Sequence, residues 1–144
     1  VFDKLGIRFL YPENWILSVE HAQSGSRSVS VQAPGGAFWS VAIHSPPADA
    51  EELAETVLAA MREQYDDLET EAVNEQIAGI QATGYEMHFH CLDFIVAARL
   101  RILRVDRQSL VLLYQAEDRE FDQFEPVFQG ITTSLLEVNQ HSKA

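Results

Sequence analysis

The feature that most constrains this chain is the stretch from Ile80 to Glu117, where three long β-patterned runs follow one another almost without a break. The first leaves Ile77-Ala78-Gly79-Ile80 and ends near Cys91. The second is FIVAARLRILRV at 94–105. The third is SLVLLYQAE at 109–117. The breaks between them, near Leu92–Ile95 and at Asp106-Arg107-Gln108, are short enough only for hairpin turns, so these strands pair antiparallel. The third run is apolar at nearly every position, which predicts a central strand covered on both faces.

The rest of the chain supplies more sheet and two covers for it. GIRFLY at 6–11 reads as a strand stopped by Pro12, and WILSVE at 15–20 as a second. SVSVQA at 28–33 and AFWSVAIH at 37–44 alternate across the Pro34-Gly35-Gly36 turn and predict a hairpin. Glu69–Gln76 reads as an edge strand. After Ser45-Pro46-Pro47, Asp49 and Glu52 have capping-box spacing. Leu53, Val57, Leu58, Met61 and Tyr65 then recur at steps of three and four, which predicts an amphipathic helix over 50–66. Phe121, Phe124, Phe128, Ile131 and Leu135 predict a second helix, with Pro126 near its start or at a kink. The resulting class is α+β, a mainly antiparallel β-sheet packed between helices. All 144 residues fit one domain, with frayed ends expected at about 1–4 and 137–144.

Charge narrows the function classes. The formal net charge is -12, which disfavours nucleic acid as a partner. Ten acids lie between Asp49 and Glu75 against the single base Arg62, and they predict a solvated helix face. Arg99, Arg101, Arg104 and Arg107 concentrate on the second long strand and its turn. No stretch approaches the length of a membrane span. Cys91 is the only cysteine, so no intrachain disulfide forms. A cytoplasmic location is the expectation. An exported form stays open because the chain opens on Val1 and not on Met.

The segment EMHFHCLDF at 86–94 brings two histidines, a cysteine and an aspartate together in sequence. Strand alternation separates them again. Met87, Phe89 and Cys91 share the core face, and Glu86, His88 and His90 share the other. His88 and His90 would need a third ligand, such as His44, to form a zinc site. No metal site and no cofactor is therefore expected. No phosphate-binding, zinc-protease, dithiol or nucleophile-elbow motif is present, so no catalytic residue is assigned and no enzyme activity is expected.

On the hairpin through Leu92–Ile95, Glu86 falls opposite Arg99 or Arg101. The stripe of Glu86, His88, His90, Arg99 and Arg101 is then an exposed charged face or the lining of a shallow groove. Leu92, Phe94 and Ile95 crowd a turn where polar residues are usual, and they suggest a contact patch. These eight residues form the candidate partner-binding surface. On this reading Arg101→Glu leaves folding intact and weakens a partner. The partner is an unidentified protein, and a homodimer through a sheet edge or the acidic helix is compatible with the pattern. The alternative is a small-ligand or metal-binding domain using the same outer sheet face.

Three segments resemble the PsbP-like superfamily. GIRFLYPENW at 6–15 resembles its opening, with a strand running into Tyr11-Pro12 and then Trp15. GIQATGYE at 79–86 is similar to the start of its central strand. YQAEDREFDQFEPVFQGITTSL at 114–135 resembles its closing strand and aromatic-studded helix, ending on Ser134-Leu135. The resemblance implies an α-β-α sandwich. Members include the extrinsic photosystem II subunit, a eukaryotic Ran-binding nucleotide-release factor and bacterial chaperones for secretion effectors. It therefore implies a non-enzymatic binding or assembly module, of chaperone or adaptor type, and names no partner.

Overall fold

Seven strands form one antiparallel sheet, and its centre is the apolar run singled out above. The computed structural model describes residues 1–4, 7–21 and 27–141. Residues 22–26, within the polar stretch HAQSGSRS from which the sequence predicts a loop, lie outside them, as do residues 5–6 and 142–144. In chain order the elements are β1 (Phe2–Lys4), β2 (Ile7–Phe9), β3 (Ile16–His21), β4 (Arg27–Gln32), β5 (Phe38–His44), α1 (Ala50–Gln64), β6 (Glu69–Ile77), β7 (Ile80–Cys91), β8 (Phe94–Val105), β9 (Gln108–Glu117) and α2 (Asp118–His141). The sheet order is β3-β4-β5-β9-β8-β7-β6. β9 therefore lies fourth of seven, and Leu110, Val111 and Leu112 are buried in succession because both faces are covered.

Each face carries its own core. On one, Ala54 and Leu58 of α1 pack with Met87, Phe89, Ala98, Leu100, Ile102 and Val111. Asp49 caps α1 by accepting from the Glu52 N–H at 3.1 Å, and Tyr65 at its end stacks on Phe89. The acids of α1, Glu51, Glu52, Glu55 and Glu63, stay exposed. On the other face, Phe121, Phe128, Ile131, Leu135 and Leu136 of α2 cover Leu103, Leu112, Tyr114 and Trp39. The predicted α+β sandwich is the observed one.

The ends differ from expectation. Phe2–Lys4 does not fray but pairs antiparallel with β2, because Phe2 stacks on Phe9 and both are buried. Phe9 in turn packs against Trp39 at 4.9 Å between ring centroids. The Leu10 N–H donates to Ser134 Oγ at 2.9 Å, so this small hairpin is held to α2. At the other end, the segment expected to fray from 137 is helical as far as His141.

Candidate functional site

β7 and β8 pair in the register that alternation demands. Glu86 lies opposite Arg99, Met87 opposite Ala98, and Cys91 opposite Phe94, which leaves Leu92-Asp93 as a two-residue turn. The predicted face thus exists, but α2 and β6 close over part of it.

Arg101 is not exposed. Its side chain is only 2% accessible, so at this position the stripe is covered and Arg101 cannot be a contact residue. Its Nε donates to Glu75 Oε1 at 2.6 Å. Its Nη1 donates to the Leu100 carbonyl at 2.9 Å and, weakly, to that of Tyr85 at 3.4 Å. Its Nη2 lies 3.6 Å from Glu86 Oε1. A buried guanidinium has to be satisfied in this way, because an unpaired one would cost several kcal/mol (~3–5). Arg99 shares Glu86 Oε1 at 3.4 Å and reaches Glu125 Oε2 on α2 at 2.5 Å. Its guanidinium carbon also stands 4.6 Å from the centroid of Phe121. Glu125 Oε2 is buried and makes no hydrogen bond of good geometry, so the Arg99 charge offsets its desolvation. Two cations and three carboxylates leave this cluster with one negative charge in excess.

The histidines separate. His88 Nε2 lies 3.3 Å from Asp118 Oδ1 at the start of α2. The His90 N–H donates to Asp67 Oδ2 at 3.0 Å, and its ring Nδ1 donates to the same oxygen. These two contacts hold the Asp67 carboxyl below the usual carboxylate range. His44 lies on β5, and β9 and β8 stand between it and β7. Among the described residues no three His, Cys, Asp or Glu side chains converge to hold a metal ion. Cys91 is half-buried against the α1 core.

Leu92, Phe94 and Ile95 remain exposed, at 90%, 48% and 46%. Leu92 also has φ of 57°, the left-handed region that a branched side chain avoids. Beside it lies a groove of about 290 Å³, with Gly36, Cys91, Leu92, Phe94, Ala116 and Glu120 in its wall.

Sequence reasoning missed a second hollow. A cavity of about 280 Å³ opens between β6, the sheet face and α2, lined chiefly by Glu75, Arg99, Tyr114, Gln129, Thr132 and Thr133. Thr132 accepts from Trp39 Nε1 at 2.9 Å. Burial pushes the Tyr114 phenol above its ordinary range. The signal available in sequence was weak: one buried threonine, Thr132, within the apolar helix stripe, with Thr133 half-buried and Gln129 exposed beside it.

No family model matches this chain, and no curated protein matches it in sequence. Solved structures do. Cyanobacterial PsbP (CyanoP) from Synechocystis sp. PCC 6803 is 16% identical, with a TM-score of 0.65 over 90% of this chain and 85% of that one. PA94 from Pseudomonas aeruginosa, a protein of unknown function, is 10% identical, with a TM-score of 0.54 over 90% of this chain and 95% of that one. At these identities the likeness is one of fold. The fold is PsbP-like, as the three sequence segments implied.

Proposed function

We propose that this protein is a non-enzymatic adaptor that engages another protein through the β7–β8 hairpin tip. The observation that carries the reading is Leu92, 90% exposed at the end of the hairpin. Ala78 and Asp106 hold the same left-handed backbone in the two neighbouring turns, so what sets Leu92 apart is a large apolar side chain left in solvent. Phe94 and Ile95 extend the apolar surface, and Asp93, Glu117, Asp118 and Arg119 rim it, with Glu117 paired to Arg119 and Asp118 facing His88. A partner suited to this tip presents an apolar pocket with a mixed polar rim. Arg99 and Arg101 drop out of the contact surface, since both are committed to internal carboxylates. His88 and His90 are half-exposed flanks. The PsbP-like fold is compatible with an assembly or adaptor role, at the level of fold analogy only.

The test compares Leu92→Asp with Val19→Asp, a matched change on β3, where Val19 is also exposed. A protein retained by the wild type and by Val19→Asp, and lost by Leu92→Asp, supports the tip as the contact surface. Equal retention by all three removes it.

A further inference from the structure

We infer that the cavity between α2 and the β6–β8 face binds a small primary ammonium, held by the Glu75 carboxylate and the Tyr114 hydroxyl. This site is separate from the hairpin tip and does not rest on the reading given for it.

Tyr114 supplies the first argument. The residue is buried, 7% exposed, with its ring packed on Phe128 at 5.1 Å between centroids. Yet its hydroxyl has no hydrogen-bond partner among the described residues, and it is not among the fully enclosed unsatisfied atoms. A phenol that buries its ring and keeps its oxygen reachable faces the one space beside it, the cavity it lines. A hydroxyl that spends no hydrogen bond on the protein and opens on a cavity is free to exchange one with a ligand there.

Charge chooses the ligand. Glu75 gives Oε1 to Arg101 Nε, and among the described residues no arginine engages its Oε2. Arg99 also lines the cavity, but Glu86 and Glu125 already hold it. The cluster has one carboxylate more than it has guanidinium groups. An added anion would raise that excess, and a monocation removes it. The other polar residues of the wall, Tyr114, Thr133, Gln76 and Gln129, carry oxygens able to accept. A primary ammonium has three N–H donors to spend on such a set, whereas a quaternary ammonium has none. The volume of about 280 Å³ suits a short amine and not a polyamine chain.

The experiment is titration calorimetry of n-butylammonium chloride into the full chain, with butan-1-ol, tetramethylammonium and sodium chloride as comparison titrants. The expected result is saturable one-to-one binding of n-butylammonium only. Tyr114→Phe removes one oxygen and keeps the ring against Phe128, and it should weaken binding about tenfold, the worth of a hydrogen bond to a charged group. Thr133→Val gives the same comparison from the α2 side if Tyr114→Phe proves unstable. Three results overturn the proposal: no saturable binding, binding unchanged in both variants, or equal binding of tetramethylammonium. The last two would describe a cation attracted to an acidic surface and not a built site.

Discussion

Gly84 lies directly opposite Arg101 in the β7–β8 ladder, and a Cβ on Gly84 would stand 1.8 Å from the Leu100 carbonyl oxygen. That oxygen is the one that accepts from Arg101 Nη1. Only a residue without a side chain lets the two strands approach this closely while leaving the carbonyl available to the guanidinium. Gly84→Ala is therefore expected to cost about 3 kcal/mol or more, since the clash is with backbone and no flexible side chain can yield. Urea unfolding against wild type checks this. A loss below about 0.5 kcal/mol would show that the strands separate without penalty.

Arg101 is expected to behave as a structural residue. Arg101→Ala should destabilise by about 2–4 kcal/mol, somewhat under the full cost of breaking a buried pair, because Glu75 and Glu86 reach solvent when released. Arg101→Glu, expected from sequence to fold normally, should now fail to fold or melt far earlier. Arg101→Met, which keeps the buried stem volume, should recover part of the loss. Thermal melts of the three variants rank them. Equal melting of Arg101→Glu and wild type would contradict the buried cluster.

Leu92→Gly should have the opposite sign. Glycine accepts a φ of 57° without steric cost, so the variant should gain about 0.5–1 kcal/mol in urea unfolding, net of the greater freedom of the unfolded chain. The same change removes the exposed side chain and should weaken partner capture. A variant that is more stable yet binds less well would show a position kept for contact at the expense of the fold.

Acid stability should depend on Asp67. Its carboxyl is held low by the two contacts from His90, so the folded state binds fewer protons than the unfolded state as pH falls. The contribution is present above the unfolded value of about 3.9 and is lost as pH drops through the folded one. Asp67→Asn should flatten that acid limb in urea midpoints taken from about pH 5 down to about pH 2. Parallel limbs for variant and wild type would remove the pair from acid stability.

Much of the fold was legible because it is set by local periodicity. The apolar run of β9 announced a two-sided position, and alternation along β7 and β8 announced that Glu86 meets Arg99. The spaced aromatics of α2 announced its buried stripe. Arg101 was misread because alternation gives only a facing, and Arg99 and Arg101 share one. What separates them is tertiary. Glu75 arrives from β6, Gly84 leaves the Leu100 carbonyl open, and neither effect is local to Arg101. The cavity was illegible for the same reason, since its walls come from β6, β8, β9 and α2. At Phe2, stacking on Phe9, itself packed against Trp39, ties the segment to the core in a way no local pattern announces.

The place of β9 in the sheet also bears on how the chain is made. Ser40 Oγ on β5 donates to the Leu113 carbonyl on β9 across 73 residues, while β6, β7 and β8 form a meander of near neighbours. During synthesis the β3–β4–β5 meander emerges first, with one long edge of β5 unpaired. It stays unpaired until the last strand has left the ribosome and slots between the two halves. Closure of the sheet is thus the last strand-pairing step, and the growing chain carries an open β5 edge until β9 has been made.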